Sequence, residues 1–315
     1  MLNNTLSIFI VGHNDILEKG LYQFFQRSGY RSVFSSSDMG MDTSIQPVVY
    51  EFFARHKPDI VILGSTRSGG IQANREYPAD FIYHNTATQM NVVYASWKFG
   101  VKKLLFLGSS CVYPKDCPQP IRPEYLLSGP MEKTSEPYSI AKLNGIKLCQ
   151  SFRAQYGLNA IVAVPATVYG PMVDVDPARA HVLGALMVRF HQAVREHDRH
   201  VVIWGSGRPR REFIYIDDFV EACVCLLMRY NGEDIIHIGS GEDCTIKELA
   251  ELIATSLEYK GQMIFDKTKP DGSMQKLLDS APLQNLGWKP EVGLLEGIER
   301  MLSWYRSHLE EKKSC

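Results

Sequence analysis

A tyrosine and a lysine four residues apart, Tyr138 and Lys142 in Tyr-Ser-Ile-Ala-Lys, open an expected helix and share one of its faces. Upstream, the apolar run 103–107 ends in Gly108-Ser109-Ser110-Cys111-Val112-Tyr113-Pro114. In such a pairing the ammonium lowers the phenol's pKa and orients a sugar or ribose hydroxyl, while Ser109 adds a second hydrogen bond to the same carbonyl oxygen. The chemistry so assembled is proton donation to a carbonyl. A bare Tyr-x-x-x-Lys arises by chance; its placement after a strand ending in Gly-Ser-Ser gives it meaning.

A second site is marked by Gly12, which follows the first apolar run and precedes a helix, where a dinucleotide's pyrophosphate would meet a helix N-terminus. The loop Gly-His-Asn-Asp-Ile-Leu-Glu-Lys-Gly carries Asp15 and Glu18 where dinucleotide-binding turns have further glycines. Two outcomes are open. The carboxylates face the dianion and weaken NADP or NAD binding, or both turn into solvent, where a helix N-terminal turn favours them, and the cofactor still binds. After the second run, Ser35-Ser36-Ser37-Asp38 offers Asp38 to a ribose, with no adjacent Arg for a 2′-phosphate.

These residues need a scaffold, and the chain supplies its pattern. Apolar runs at 7–11, 32–34, 59–63, 103–107 and 160–164 alternate with helical stretches near 16–28, 46–56, 77–99 and 137–156. Runs rich in Val, Ile, Leu and Phe suit parallel strands buried on both faces, so the expected fold class is α/β, a doubly wound, Rossmann-like parallel sheet. After Pro165 the regularity loosens into a loop at 169–179, a helix near 182–197, strands at 201–204 and 213–216, and helices near 217–229, 245–258 and 292–307. The expected division is a dinucleotide-binding domain over 1–170 and a smaller substrate-binding α/β lobe over 171–315, with 213–245 crossing back.

The 315 residues hold 34 Lys+Arg and 35 Asp+Glu, a net charge of −1, with 45% apolar residues. That excludes a disordered chain and argues against nucleic acid or an acidic membrane as main partner. No apolar run approaches the ~18 residues of a membrane span. The N-terminus lacks a basic segment and runs straight into a strand, so a cytoplasmic location is expected. Seven cysteines (111, 117, 149, 223, 225, 244 and 315) form an odd set without a Cys-x-x-Cys pair, read as reduced thiols with no disulfide or metal framework.

Longer segments resemble the extended short-chain dehydrogenase/reductase (NAD-dependent epimerase/dehydratase) family, and within it the enzymes acting on GDP-4-keto-6-deoxy-hexoses. They are SGGIQANREYPADFIYHN (68–85), KKLLFLGSSCVYP (102–114), EPYSIAKLNGIKLC (136–149), HVLGALMVRFH (181–191), VVIWGSGRPRREFIYIDD (201–218) and KPDGSMQKLLD (269–279). The resemblance implies that Tyr138 donates a proton to the C4 carbonyl oxygen, that Ser109 partners it, and that Lys142 holds the cofactor ribose. Cys111 and His181 match the acid and base that exchange protons at C3 and C5, a task suited to groups with intrinsic pKa values near neutrality. The bland readings are a buried structural thiol for Cys111 and a helix cap for His181.

Gly12, Asp38, Leu107, Lys142, Pro165, Val168 and His181 are the expected cofactor-binding residues. Arg189, Trp204, Arg211 and Asp271 fall on positions resembling contacts to the nucleotide diphosphate sugar, where a guanidinium fork suits a diphosphate; a solvated basic turn is the alternative for Arg211. The chain departs from the family after Pro165, reading Ala166-Thr167-Val168-Tyr169-Gly170-Pro171-Met172-Val173-Asp174-Val175 where the family has Thr-Asn-Leu-Tyr-Gly-Pro and then His-Asp-Asn-Phe. The implied function is 3,5-epimerisation and NAD(P)H-dependent C4 reduction of a GDP-4-keto-6-deoxy-hexose by a homodimer built on the helices at 77–99 and 137–156. The alternatives are a redox-neutral epimerase with impaired dinucleotide binding and a non-catalytic nucleotide-sugar-binding subunit.

Overall fold

The computed structural model describes residues 4–64, 67–176 and 180–314. Its first half winds β1 (Ser7–Val11), α1 (Ile16–Arg27), β2 (Ser32–Ser35), α2 (Gln46–His56), β3 (Ile60–Leu63), α3 (Ile71–Glu76), α4 (Pro78–Lys98), β4 (Lys103–Leu107), α5 (Glu136–Tyr156) and β5 (Ala160–Pro165). Nearly every residue of β1, β3, β4 and β5 is buried. That follows from helices covering both faces of a parallel sheet, which removes the need for a polar face. Phe9, Phe52 and Phe53 interlock on the α2 side. On α5, Gly145 lets the helix approach β4 so closely that a Cβ there would run into the Phe106 ring.

The second half continues with β6 (Thr167–Tyr169), α6 (Val182–Glu196), β7 (His200–Trp204), β8 (Arg210–Tyr215), α7 (Ile216–Arg229), β9 (Ile236–Ile238), β10 (Asp243–Thr245), α8 (Ile246–Ser256), β11 (Gln262–Asp266), β12 (Gln275–Lys276), α9 (Ala281–Asn285) and α10 (Leu294–Ser314). The main sheet has six parallel strands in the order β2-β1-β3-β4-β5-β9, the expected doubly wound, Rossmann-like arrangement. A smaller sheet runs β10-β8-β12 with β6 also on β8, and β7 pairs with β11 in parallel.

The return of β9 to the main sheet is anchored by a buried lysine. Lys103 of β4 donates to the carbonyls of Leu226, Leu227 and Tyr230 at 3.2, 2.8 and 2.5 Å, satisfying the end of α7 where backbone acceptors lack helical partners. Burial brings its pKa down to about 8.

Two details differ from the sequence expectation. The strand expected at 213–216 begins at Arg210, because Arg210–Glu212 pair with β10 and Arg210–Arg211 with β12. The strands β6, β9, β10 and β12, of two or three residues each, carry too few residues for a periodic signal, and partners in space make them strands. Part of the loop expected at 169–179, and Cys315, lie outside the described residues; the other six cysteines are free thiols.

Candidate active site

In a doubly wound sheet, ligands bind outside the carboxyl ends of the strands where the winding reverses; here that point is between β1 and β3. Lys142, only 1% exposed on α5, reaches this edge and donates to the carbonyls of Gly64 (3.1 Å) and Leu107 (2.9 Å). Burial lowers its pKa to about 8. Two of its three donors are thus spent on the ends of β3 and β4, leaving one for a ligand hydroxyl.

Tyr138 lies one turn earlier on α5, partly open to the cleft. Burial pushes its phenol well above the usual value, the Cys111 and Asp15 charges push the same way, and a hydrogen bond with Ser109 opposes them. This corrects the expectation that Lys142 acidifies the phenol: the ammonium is tucked against two carbonyls and desolvation dominates. Tyr138 is held as a proton donor, hydrogen-bonded to Ser109.

Ser109 caps the short helical turn after β4 by accepting from the Cys111 amide at 3.3 Å. Cys111 Sγ lies 3.3 Å from Lys276 Nζ. Burial would raise this thiol, but the Lys276 charge and hydrogen bonds with Ser109, Lys276 and Ser135 outweigh it, and the net shift is downward. His181 stands at the N-cap of α6 without capping it through its side chain. The residue is exposed, yet desolvation by the protein around it lowers its pKa, against the opposing charges of Asp15 and Asp174. The Asp15 charge acts on Tyr138, Lys142 and His181 alike, raising the pKa of each.

The remaining cofactor positions divide. Leu107 contributes its carbonyl to Lys142; buried Pro165 ends β5 beside Ile238, and half-buried Val168 pairs with Ile214. These and Lys142 lie at the carboxyl ends of β4 and β5 and on β6 and α5. The loops after β1 and β2 carry the acidic residues. Asp38 is exposed, and its amide donates to Ser35 Oγ. Asp15 caps α1, accepting from the Glu18 amide at 3.0 Å. Glu18 is 2% exposed and its side chain covers Gly12, where a Cβ would sit 2.5 Å from Glu18 Cβ and 2.7 Å from Oε2. Both expected alternatives are thereby corrected for Glu18: it neither enters solvent nor stands free to face a dianion, because two loops bind it.

At the substrate end, Arg189 donates to the Val202 carbonyl at 2.7 Å and lies 5.9 Å from the Trp204 ring centre, with Lys269 on the same ring at 5.3 Å. Arg211 and Lys276 are partners across β8 and β12, so two cations stand side by side near Cys111. Arg211 is partly buried and donates to the Arg210 carbonyl at 2.8 Å, unlike a solvated basic turn. Asp271 is half-buried and accepts from the Ser206 amide (2.6 Å) and hydroxyl (2.7 Å), where it fixes the turn after Trp204. Lys276 was not singled out from sequence; the only signal was its place inside the segment 269–279.

This parallel sheet, with a serine, tyrosine and lysine gathered at the carboxyl ends of its strands, belongs to the NAD dependent epimerase/dehydratase family, whose profile matches residues 8–239. Among individual relatives, the GDP-L-fucose synthase of Escherichia coli (strain K12) is 41% identical over 308 residues, spanning 95% of this chain and 96% of the relative. Putative GDP-L-fucose synthase 2 of Arabidopsis thaliana is 44% identical over 313 residues, spanning 99% and 95%. A GDP-mannoheptose C4 reductase from Campylobacter jejuni, solved with NADP bound, superposes with a TM-score of 0.87 at 31% identity, covering 97% of this chain and 100% of that one.

Proposed function

We propose that the chain acts on a GDP-4-keto-6-deoxy-hexose, epimerising C3 and C5 and reducing C4 with NAD(P)H, as a GDP-L-fucose synthase does. The observation that carries this reading is the Cys111–Lys276 contact of 3.3 Å beside Ser109, with its hydrogen-bonded partner Tyr138. A C4 ketone acidifies the C–H bonds on either side. With its pKa depressed, Cys111 takes a proton from the carbon, and the electron pair moves onto the C4 oxygen as an enolate. Ser109 and protonated Tyr138 donate to that oxygen, where charge develops. His181 returns a proton to the opposite face. The hydride for C4 comes from a reduced nicotinamide when one is bound, and Tyr138 then protonates the oxygen. Arg189, Trp204 and Arg211 bind the nucleotide diphosphate, with Asp271 holding their turn in place.

The wider reading is a homodimer whose contact is the joint face of α4 and α5, where Tyr83, Met90, Tyr94 and Ile140 are exposed. Free thiols fit a reducing cytoplasm, and no helix among the described residues is long and apolar enough to cross a membrane. The division into a dinucleotide-binding part over 1–170 and a substrate lobe over 171–315 belongs to the same reading, supported by the way β9 rejoins β5.

The test is proton exchange. Given a GDP-4-keto-6-deoxy-hexose in deuterated water without dinucleotide, the protein washes deuterium into C3 or C5, since enolisation needs no hydride. Cys111→Ser and His181→Asn each slow this by ~10²-fold or more, the scale of a positioned acid or base. Absence of exchange in the parent, with or without NAD(P)H, overturns the reading for this substrate class.

A further inference from the structure

Glu18 is a buried carboxylate at the mouth of a dinucleotide site, and it accepts five hydrogen bonds there. Its Oε2 accepts from the Asn14 amide at 2.8 Å and the Ser37 hydroxyl at 2.6 Å. Its Oε1 accepts from the Ser35 hydroxyl (2.8 Å), the Ser36 hydroxyl (3.2 Å) and the Ser37 amide (3.1 Å). These groups come from the loop after β1 and the loop after β2. The two loops are also joined directly, the Gly12 and Asn14 amides donating to the Ser36 and Ser37 hydroxyls at 3.0 and 2.8 Å. In a dinucleotide fold the first of these loops meets the pyrophosphate and the second meets the adenosine ribose. Gly12, which would lie nearest the phosphates, is covered by the same side chain.

We propose that Glu18 is an internal occupant of the adenosine end of this dinucleotide site, an anion built into the chain that must be displaced before a dinucleotide binds. The inference rests on the family-based reading of this cleft as a dinucleotide site. Charge-assisted bonds to a buried carboxylate are the strong kind, and all five are given up when the side chain leaves for a cleft that receives a pyrophosphate. Asp15, held at the N-cap of α1 in the same loop, adds a second negative charge to the opposition. The penalty is largest for a dinucleotide with a 2′-phosphate, which brings a further anion to the Ser35–Ser37 loop. Epimerisation needs no hydride and is untouched by this occupancy; reduction carries its whole cost.

The experiment is calorimetric titration of the full chain with NADPH and NADH, comparing the parent with Glu18→Gly and Glu18→Gln, each checked for a native thermal transition. Glu18→Gly should bind NADPH at least ~10-fold more tightly than the parent, equivalent to ~1.4 kcal/mol, with a smaller gain for NADH. Glu18→Gln keeps the volume and drops the charge, so a gain of several-fold for NADPH is expected, and it carries the test if the glycine variant does not fold. Equal or weaker binding by the folded variants overturns the proposal. Deuterium wash-in on the parent, run without dinucleotide, reports separately on the substrate reading. Exchange without any gain in the variants sinks the occupancy alone; a gain without exchange sinks the substrate reading alone.

Discussion

Lys276 Nζ stands 3.3 Å from Cys111 Sγ, so a two-residue strand sets the charge state of a thiol 165 residues earlier in the chain. Burial would raise the thiol, and the lysine's charge is the largest of the influences that together reverse it, so Lys276→Met should move the alkylation pH profile of Cys111, followed residue by residue by mass spectrometry, to higher pH. Deuterium wash-in near pH 7 should fall ~10-fold or more, and Lys276→Arg should restore part of both. An unchanged alkylation profile in Lys276→Met would mean that the contact does not govern the thiol.

Tyr138 is kept protonated by its surroundings, and its hydroxyl acts mainly once charge has moved onto the C4 oxygen. Tyr138→Phe should therefore abolish C4 reduction while nucleotide-sugar affinity stays within ~10-fold, because an interaction made in the transition state is lost from kcat rather than from binding. Single-turnover reduction and equilibrium titration separate the two.

Glu212 links β8 to the segments just before β10 and just after β12, accepting from the Gly241 and Leu278 amides at 2.8 and 2.9 Å while almost fully buried. Burial raises its pKa from 4.5 to about 7. The folded protein therefore holds this proton more tightly than the unfolded chain does, and the stability so contributed is full below about pH 4.5 and lost as the pH rises through about 7. Over that interval the loss is about 3 kcal/mol at most. Urea unfolding at several pH values should show Glu212→Gln with a flatter pH dependence than the parent, although the amide gives up one backbone acceptor. Parallel curves would exclude Glu212 as the titrating group.

The exposed face of α4 carries Tyr83 at 68% and Met90 at 52% exposure, a cost for a surface that stays in water. Tyr83→Glu together with Met90→Glu should convert a homodimer to monomer in sedimentation equilibrium with the thermal transition of the monomer intact. A parent that sediments as a monomer at micromolar concentration would remove this face as a dimer contact.

Sequence by itself determined what depends on local spacing. The buried strands, the Tyr138–Lys142 pair on one helical face and Ser109 at the end of an apolar run were legible because periodicity and turn residues act over a few positions. Cys111 and His181 were singled out only through the segments around them, since neither has a spacing of its own that marks it. What only the tertiary structure decided were the partners of charged groups. Asp15 and Glu18 read alike as acids in a loop, yet Asp15 caps a helix while Glu18 is drawn inward by hydroxyls and amides that β2 places opposite it. Lys142 looked like the group that acidifies Tyr138, and the carbonyls of Gly64 and Leu107 claim it instead. Lys276 gave no periodic signal and gained its role through parallel pairing with Arg211. The physical reason is common to all of these: side-chain spacing follows from backbone geometry within one element, whereas hydrogen-bond partners and desolvation are set by which distant loops the packed sheet brings together.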